Sequence, residues 1–387
     1  MIDASKLRVL VVTRNMPPLW GGMEQLNWHM VDELAKRTSV CVVGPDGSTE
    51  GIPDGAKVLE VSLQPLPWFL LNASAKAIKL ARDWRPNIVV SGSGLTAPIA
   101  EWAARASGAK SAAYVHGLDV AVDNALYRKL WIPSLRRMDC IVANSQATAQ
   151  LAETAGVDPA KIKIVHPGVV IPNHPMNGDV VANLRLEKKW GKRPLLLSVG
   201  RLTSRKGLRE FVVEVLPKIL ERRPDALLVV AGGPPTNSLH AKTQTMESIR
   251  EAAAKAGVAD HLEFVGVITD RAKLASIYQA ADVHVFPVRD IPNDPEGFGM
   301  VAIEAAAHGL PTVAYATGGV IDAVAEGVSG HLVPFGNSAA FADAVLALLA
   351  HPLPSEGIKA FAERFDWGHF GDKISAVLFG GQVNDGH

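Results

Sequence analysis

Short apolar runs alternate with longer helical patterns along nearly the whole chain, and after about residue 170 the alternation starts afresh. Runs at 7–12, 39–43, 58–61, 88–91, 111–115, 140–143 and 162–165 read as buried strands, with a helix over about 24–36 and further helical stretches between most of them. Strands interleaved with helices make βαβ units, and such units build a parallel sheet covered on both faces. The second series has strands at 194–200, 226–231, 262–265, 283–286 and 312–315, with helices near 206–222, 238–256, 271–280, 300–308 and 339–349. Residues 167–179, rich in turn formers and polar groups, separate the two series. At 387 residues the chain also exceeds what one hydrophobic core usually serves. The expected fold class is α/β, with two Rossmann-like doubly wound domains facing each other across a cleft. The boundaries expected are 1–172, 173–364, and 365–387 as a C-terminal helix crossing back towards the first domain, plus a tail.

Ligands of doubly wound sheets sit beyond the carboxyl ends of the strands, so the loops that follow the strands hold the candidates. Arg201 and Lys206 lie in Ser198-Val-Gly-Arg-Leu-Thr-Ser-Arg-Lys-Gly207, directly after a strand. A planar guanidinium and a compact ammonium placed there suit a diphosphate, although a basic loop read alone is as readily a solvated surface. A second loop runs Glu296-Gly-Phe-Gly-Met-Val-Ala-Ile-Glu304. Gly297 and Gly299 let backbone approach a ligand, and the free amides of the helix starting there face anionic oxygens. Helical rise places the carboxylates of Glu296 and Glu304 roughly 10–12 Å apart, too far for a close dyad and suited to two points on one extended ligand. Glu304 sits among alanines and Ile303, where an unpaired carboxylate is costly. The turn Gly318-Gly319 after strand 312–315 is a weaker signal, because Rossmann-like sheets commonly have such turns.

Bulk properties narrow the classes. Basic and acidic side chains balance at 39 each, which gives no support for nucleic acid as a partner. Cys41 and Cys140 stand apart in strand-like runs, so neither a disulfide framework nor a zinc site is expected. No run of about 18 apolar residues predicts a membrane span, and the amino terminus lacks the pattern of a signal peptide. The expected compartment is the cytoplasm, with the inner face of the membrane as a candidate location.

Together these segments resemble glycosyltransferase family 4, the retaining GT-B enzymes, over nearly the whole chain and most specifically at 296–304. The resemblance implies that Arg201 and Lys206 hold a donor diphosphate, Glu304 the ribose hydroxyls and Glu296 the hydroxyls of the donor sugar. It makes Phe298, Gly299, Met300 and Val301 a donor-binding stretch offering backbone amides, and Val265 and Val267 part of the wall around the base. Pro17-Pro-Leu-Trp-Gly-Gly22 resembles the family's glycine loop, in which Gly21 and Gly22 pass close to the diphosphate; without the resemblance it is a plain turn. His116, just after strand 111–115, resembles the family's cleft histidine that contacts the donor sugar. Asp119 reads equally as a cap, and Asn144 and Ser145 end another strand, with Ser145 also a candidate helix N-cap. The expected catalytic residues are thus His116, Arg201, Lys206 and Glu296.

The chemistry implied is ionisation of the bond between sugar and phosphate, with cations and helix-start amides stabilising the departing diphosphate. No metal and no cofactor are then expected, the nucleotide sugar being a substrate, and no Asp-x-Asp metal motif stands out. The expected partners are a nucleotide-diphosphate sugar (GDP-mannose-like or a UDP-hexose) and a glycan or lipid-linked acceptor, as in surface polysaccharide or glycolipid synthesis. Segment 65–71 is unusually apolar and segment 127–137 mixes bulky apolar groups with cations; both are candidates for peripheral membrane contact, against an ordinary core segment and helix face. A GT-B epimerase or a non-catalytic nucleotide-sugar-binding protein are the alternatives. A dinucleotide-dependent dehydrogenase lacks its Gly-x-Gly-x-x-Gly here.

Overall fold

The computed structural model describes residues 7–19, 21–172, 178–234 and 243–380. The leading residues 1–6, the linker residues 173–177, the expected helix start at 238–242 and the tail 381–387 lie outside the described residues. The chain divides into two compact units, with boundaries at Gly168/Val169 and Phe365/Asp366.

The first unit is a seven-stranded parallel sheet of β1 (Arg8–Val12), β2 (Ser39–Pro45), β3 (Ala56–Val61), β4 (Ile88–Ser91), β5 (Lys110–Val115), β6 (Cys140–Ala143) and β7 (Ile162–Ile164), in the order β3-β2-β1-β4-β5-β6-β7. The central strands are buried almost end to end, because helices cover both faces. Strand order reverses between β1 and β4, which makes their carboxyl ends the switch point of the sheet. Residues 65–71 fall in the helix Leu66–Trp84, where Phe69 is fully buried while Trp68 and Leu71 are 58% and 60% exposed. The last helix, Trp367–Phe379, belongs to this unit: Trp367 stacks on His29 at 4.0 Å, and Gly168 lies against the same indole so closely that a Cβ would come within 2.4 Å of it.

The second unit is a six-stranded parallel sheet of β8 (Leu195–Val199), β9 (Leu227–Ala231), β10 (Leu262–Gly266), β11 (Val283–Phe286), β12 (Thr312–Tyr315) and β13 (Gly330–Val333), ordered β10-β9-β8-β11-β12-β13. Its switch point lies between β8 and β11. β13 is absent from the sequence expectation because Gly-His-Leu-Val is neither a continuous apolar run nor a clean alternation. The helix expected over 206–222 is interrupted. A turn Ser204–Lys206 precedes the helices Leu208–Glu214 and Leu216–Arg222, and Pro217 sits at the start of the latter, where a missing N–H costs nothing. The next helix runs only Met246–Lys255, capped by Thr245, whose hydroxyl accepts from the Ser248 N–H. Among the described residues no helix is long and apolar enough to cross a membrane.

Candidate functional site

In the second unit the loops after β8 and β11 bring opposite charges together at the switch point. Lys206 Nζ lies 2.9 Å from Glu296 Oε2, and Arg205 Nε lies 3.3 Å from the same oxygen. Arg205 also reaches the other way, donating from Nη1 to Asp294 Oδ1 at 2.6 Å and to the Pro295 carbonyl at 3.3 Å. Lys206 Nζ stands 4.7 Å above the Phe286 ring centroid, a cation–π contact at the end of β11. Arg201 is exposed, and its charge reaches both Lys206 and Glu296 through space.

The electrostatics follow from burial. Desolvation pushes the Glu296 carboxyl up, but the charges of Lys206 and Arg205 outweigh it and bring the pKa down to about 2. Lys206 is driven the other way: burial lowers its pKa, and Glu296 only partly restores it. Glu296 is therefore a carboxylate at neutral pH. Its contacts are ion pairs by distance without hydrogen-bond geometry, so Oε2 is a buried acceptor still lacking a well-aligned donor. An oxygen in that state has spare capacity for a ligand's hydroxyl.

Glycines set the spacing of these loops. Gly207, in the left-handed region at φ 68°, packs so close to β11 that a Cβ would meet the Pro287 carbonyl oxygen at 2.0 Å. Gly318 and Gly319 support the loop that carries Glu296: the Gly319 N–H donates to the Glu296 carbonyl at 2.9 Å, and a Cβ on Gly319 would meet the Gly297 oxygen at 2.0 Å. The sequence ranks this turn as the weakest of the three segments, yet it supports the backbone of the loop that carries Glu296.

The helix Met300–Ala307 begins beside that loop, with Gly299 at its N-cap position and no side chain capping its first amides. Phe298 is buried against Phe365, while Met300 and Val301 are partly buried. Glu304, one face of that helix, accepts a 3.0 Å hydrogen bond at Oε2 from the Tyr278 hydroxyl. Burial raises the Glu304 pKa, and that hydrogen bond works against the rise. Tyr278 is in turn stacked on His308 at 5.3 Å. Val265 lies in the edge strand β10, and Val267, just beyond it, is 70% exposed.

In the first unit, Gly21 and Gly22 open the helix Gly22–Ala35; Trp20 of the same loop lies outside the described residues. Gly21 is extended, and a Cβ there would approach only the end of the Glu24 side chain, so its backbone alone does not require glycine. His116 follows β5. Its Nε2 sits 3.0 Å from the Gly92 carbonyl, and its backbone N–H donates to Asp119 Oδ2 at 3.0 Å. Ser145 caps the helix Gln146–Thr154 by accepting the Thr148 N–H. Near the carboxyl ends of β4 and β6, and on the helices beside them, Ser93 Oγ, Asn144 Oδ1, Asn27 Oδ1 and the Tyr127 hydroxyl are buried with no partner.

Two residues of the β8–β11 cluster are missing from the sequence expectation. Arg205 stands beside Lys206, and Asp294 two positions before Glu296; an Arg-Lys pair matched to an Asp-x-Glu pair was the available signal. Tyr278 gave none, since at its place in the helix Arg271–Ala280 it reads as a core residue.

Comparison with known proteins covers both units. A family model described as Glycosyltransferase Family 4 matches residues 20–171, and one described as Glycosyl transferases group 1 matches residues 182–365. A D-inositol 3-phosphate glycosyltransferase of Catenulispora acidiphila is 35% identical over 237 residues, which is 59% of this chain and 53% of that protein. The match thus spans about half of that relative's length. A GDP-mannose-dependent alpha-(1-6)-phosphatidylinositol monomannoside mannosyltransferase of Mycolicibacterium smegmatis is 27% identical over 96% of this chain and 98% of its own. Among solved structures, Anabaena HepE in complex with UDP superposes with a TM-score of 0.79 at 19% identity, covering 97% of this chain and 100% of that one.

Proposed function

Since this chain belongs to glycosyltransferase family 4 and has the GT-B fold, we propose that it moves a hexose from a nucleotide-diphosphate sugar to a sugar or lipid-linked acceptor with retention of anomeric configuration. The observation that carries the donor assignment is the convergence of Arg201, Lys206, the start of the helix Met300–Ala307 and Glu296 at the switch point of one sheet. Arg201 and Lys206 take the diphosphate, Glu304 the ribose, and Glu296 the hydroxyls of the transferred sugar. Val265 and Val267 flank the base. Phe298, Gly299, Met300 and Val301 supply the amide-bearing backbone at the phosphate end.

As the sugar–phosphate bond ionises, negative charge grows on the departing nucleoside diphosphate. Fixed cations and unpaired amides then bind the transition state more strongly than the ground state. Retention follows if the acceptor hydroxyl attacks from the face the phosphate leaves and passes its proton to that phosphate. Glu296, held ionised, orients the sugar in this scheme.

The relative matching most of the chain is named for GDP-mannose, which makes GDP-mannose the first donor to test and UDP-glucose the second. Both named relatives act on inositol-bearing acceptors, so a polyol acceptor is the first choice here. The unpaired buried atoms of Asn27, Ser93 and Asn144 in the first unit suit a hydroxyl-rich ligand. The exposed Trp68 and Leu71 support contact with a membrane face that presents a lipid-linked acceptor.

Donor-dependent release of nucleoside diphosphate, measured with product NMR, tests the proposal. Arg201→Ala with Lys206→Ala is expected to lower turnover at least a thousandfold and Glu304→Ala to weaken donor binding, with an α-linked product from an α-linked donor. Unchanged kinetics in the double variant refutes the donor site; an inverted product refutes retention. Equal sedimentation with anionic vesicles of wild type and Trp68→Ser/Leu71→Ser refutes membrane contact.

A further inference from the structure

Arg205 has no role in the scheme above, yet it is the best-connected cation of the cluster. Its side chain is 16% exposed and lies between two carboxylates, Asp294 at 2.6 Å from Nη1 and Glu296 at 3.3 Å from Nε. Its Nη1 also holds the Pro295 carbonyl, and its own backbone carbonyl accepts the Arg289 N–H at 2.8 Å. One residue thus grips the loop after β11 near both ends of the stretch 289–296. Lys206 differs: its contacts in the cluster are Glu296 and the face of Phe286. When a diphosphate arrives, Lys206 can leave Glu296 without breaking any other bond, whereas Arg205 is fastened to the same loop as the carboxylate it faces.

We propose that Arg205 is a positioning residue that stays with Glu296 when the donor diphosphate draws Lys206 away, keeping that carboxylate ionised and aimed at the transferred sugar. This rests on the donor-site assignment above. The buried carboxylate needs a counter-ion at each stage, because an unpaired buried charge is costly. Burial lowers the pKa of Arg205, but Glu296 and Asp294 outweigh it and the net shift is upward, so Arg205 is a cation throughout. Arg201, Lys206 and Arg205 are the cations whose charges bear on Glu296, so loss of Arg205 leaves Glu296 only the two that the diphosphate also recruits.

Arg205→Met, Arg205→Lys and Lys206→Ala, each as the full chain, distinguish the roles. Titration with GDP and UDP reports the diphosphate site alone; titration with GDP-mannose and UDP-glucose, together with kcat and KM, reports the sugar. In Arg205→Met, affinity for the better nucleoside diphosphate is expected to stay within threefold of wild type while kcat falls at least thirtyfold. The extra affinity of the matching nucleotide sugar over its diphosphate should also vanish. Arg205→Lys, which keeps the charge, is expected to recover at least a third of the lost kcat. Near-normal kcat in Arg205→Met overturns the proposal, as does a parallel loss of diphosphate and sugar affinity, which would make Arg205 a diphosphate ligand or a purely structural prop. If Arg205→Met unfolds, the Arg205→Lys split between kcat and diphosphate affinity decides by the same criteria. If Lys206→Ala binds GDP and UDP as wild type does, the donor-site assignment falls and this proposal falls with it. If Lys206→Ala loses them while Arg205→Met keeps full turnover, only the Arg205 proposal fails.

Discussion

The Nζ of Lys206 and the Oε2 of Glu296 face each other at 2.9 Å, so the cation proposed above for the diphosphate is paired with one of the chain's own carboxylates. In the proposed scheme Glu296 is then both a sugar contact and a competitor for the cation. Glu296→Gln removes the competing charge while keeping the shape. Affinity for free GDP or UDP is expected to rise about tenfold, equivalent to ~1.4 kcal/mol, while turnover falls about a hundredfold. Calorimetric titration beside steady-state kinetics checks both; weaker diphosphate binding in this variant would mean that Glu296 does not restrain Lys206.

Tyr278 holds Glu304 through a single 3.0 Å hydrogen bond from a fully buried ring. Tyr278→Phe deletes that donor and little else, since the ring contact with His308 persists. A hydrogen bond to a charged group contributes about 1.5–3 kcal/mol, of which water and the ligand restore part, so donor affinity should weaken about three- to tenfold. The pKa of Glu304 is already raised by burial, and loss of the hydroxyl raises it further. The defect is therefore expected to be larger at pH 5.5 than at pH 7.5. Equal affinity of wild type and variant at both pH values would remove Glu304 from the donor site.

The strands were readable because buried parallel strands are continuous apolar runs bounded by turn residues, as in Val283–Phe286 and Cys140–Ala143. Gly330–Val333 escaped because an edge strand with partly exposed residues has no such run. Lys206 and Glu296 were readable as candidates because each lies in a loop that follows a strand, where doubly wound sheets bind ligands. Arg205 and Tyr278 were not, because their meaning lies in tertiary pairs. Arg205 meets Asp294 across 89 positions of sequence, and Tyr278 meets Glu304 from a neighbouring helix. Gly318 and Gly319 were visible as a turn, but the loop they support came from a different part of the chain.

Acid should unfold this protein from a comparatively high pH. Burial, helped by the charge of Lys206, lowers His284 to about 3, and burial with Lys359 lowers His308 to about 4. Both fall below the ordinary histidine value, so on acidification the unfolded chain takes up protons first. Their contribution to stability is complete above about pH 6.5 and is lost as pH falls towards those folded values. Glu296, at about 2 in the fold, adds a further loss below about pH 4.5. Calorimetric Tm is expected to drop steadily from pH 6.5 to pH 5, with a shallower slope in His308→Leu. A Tm that stays level over that interval would mean that neither imidazole is held neutral by the fold.

Space, rather than backbone strain, makes Gly319 irreplaceable. Its φ of −75° suits any residue, yet a Cβ would meet the Gly297 oxygen at 2.0 Å and the Phe298 Cα at 2.7 Å, both parts of rigid backbone. Gly319→Ala must therefore push away the loop that carries Glu296. A misplacement of about 1 Å at a positioned group costs on the order of a hundredfold in rate, so kcat/KM is expected to fall by about that factor. Gly336→Ala supplies the contrast. At φ 81° it is strained, but no atom lies within 4 Å of the new methyl. It is expected to cost about 1 kcal/mol of stability and leave kinetics untouched. Kinetics that fall alike in both variants would show that general loosening, and not the Gly319 contact with the Glu296 loop, limits the reaction.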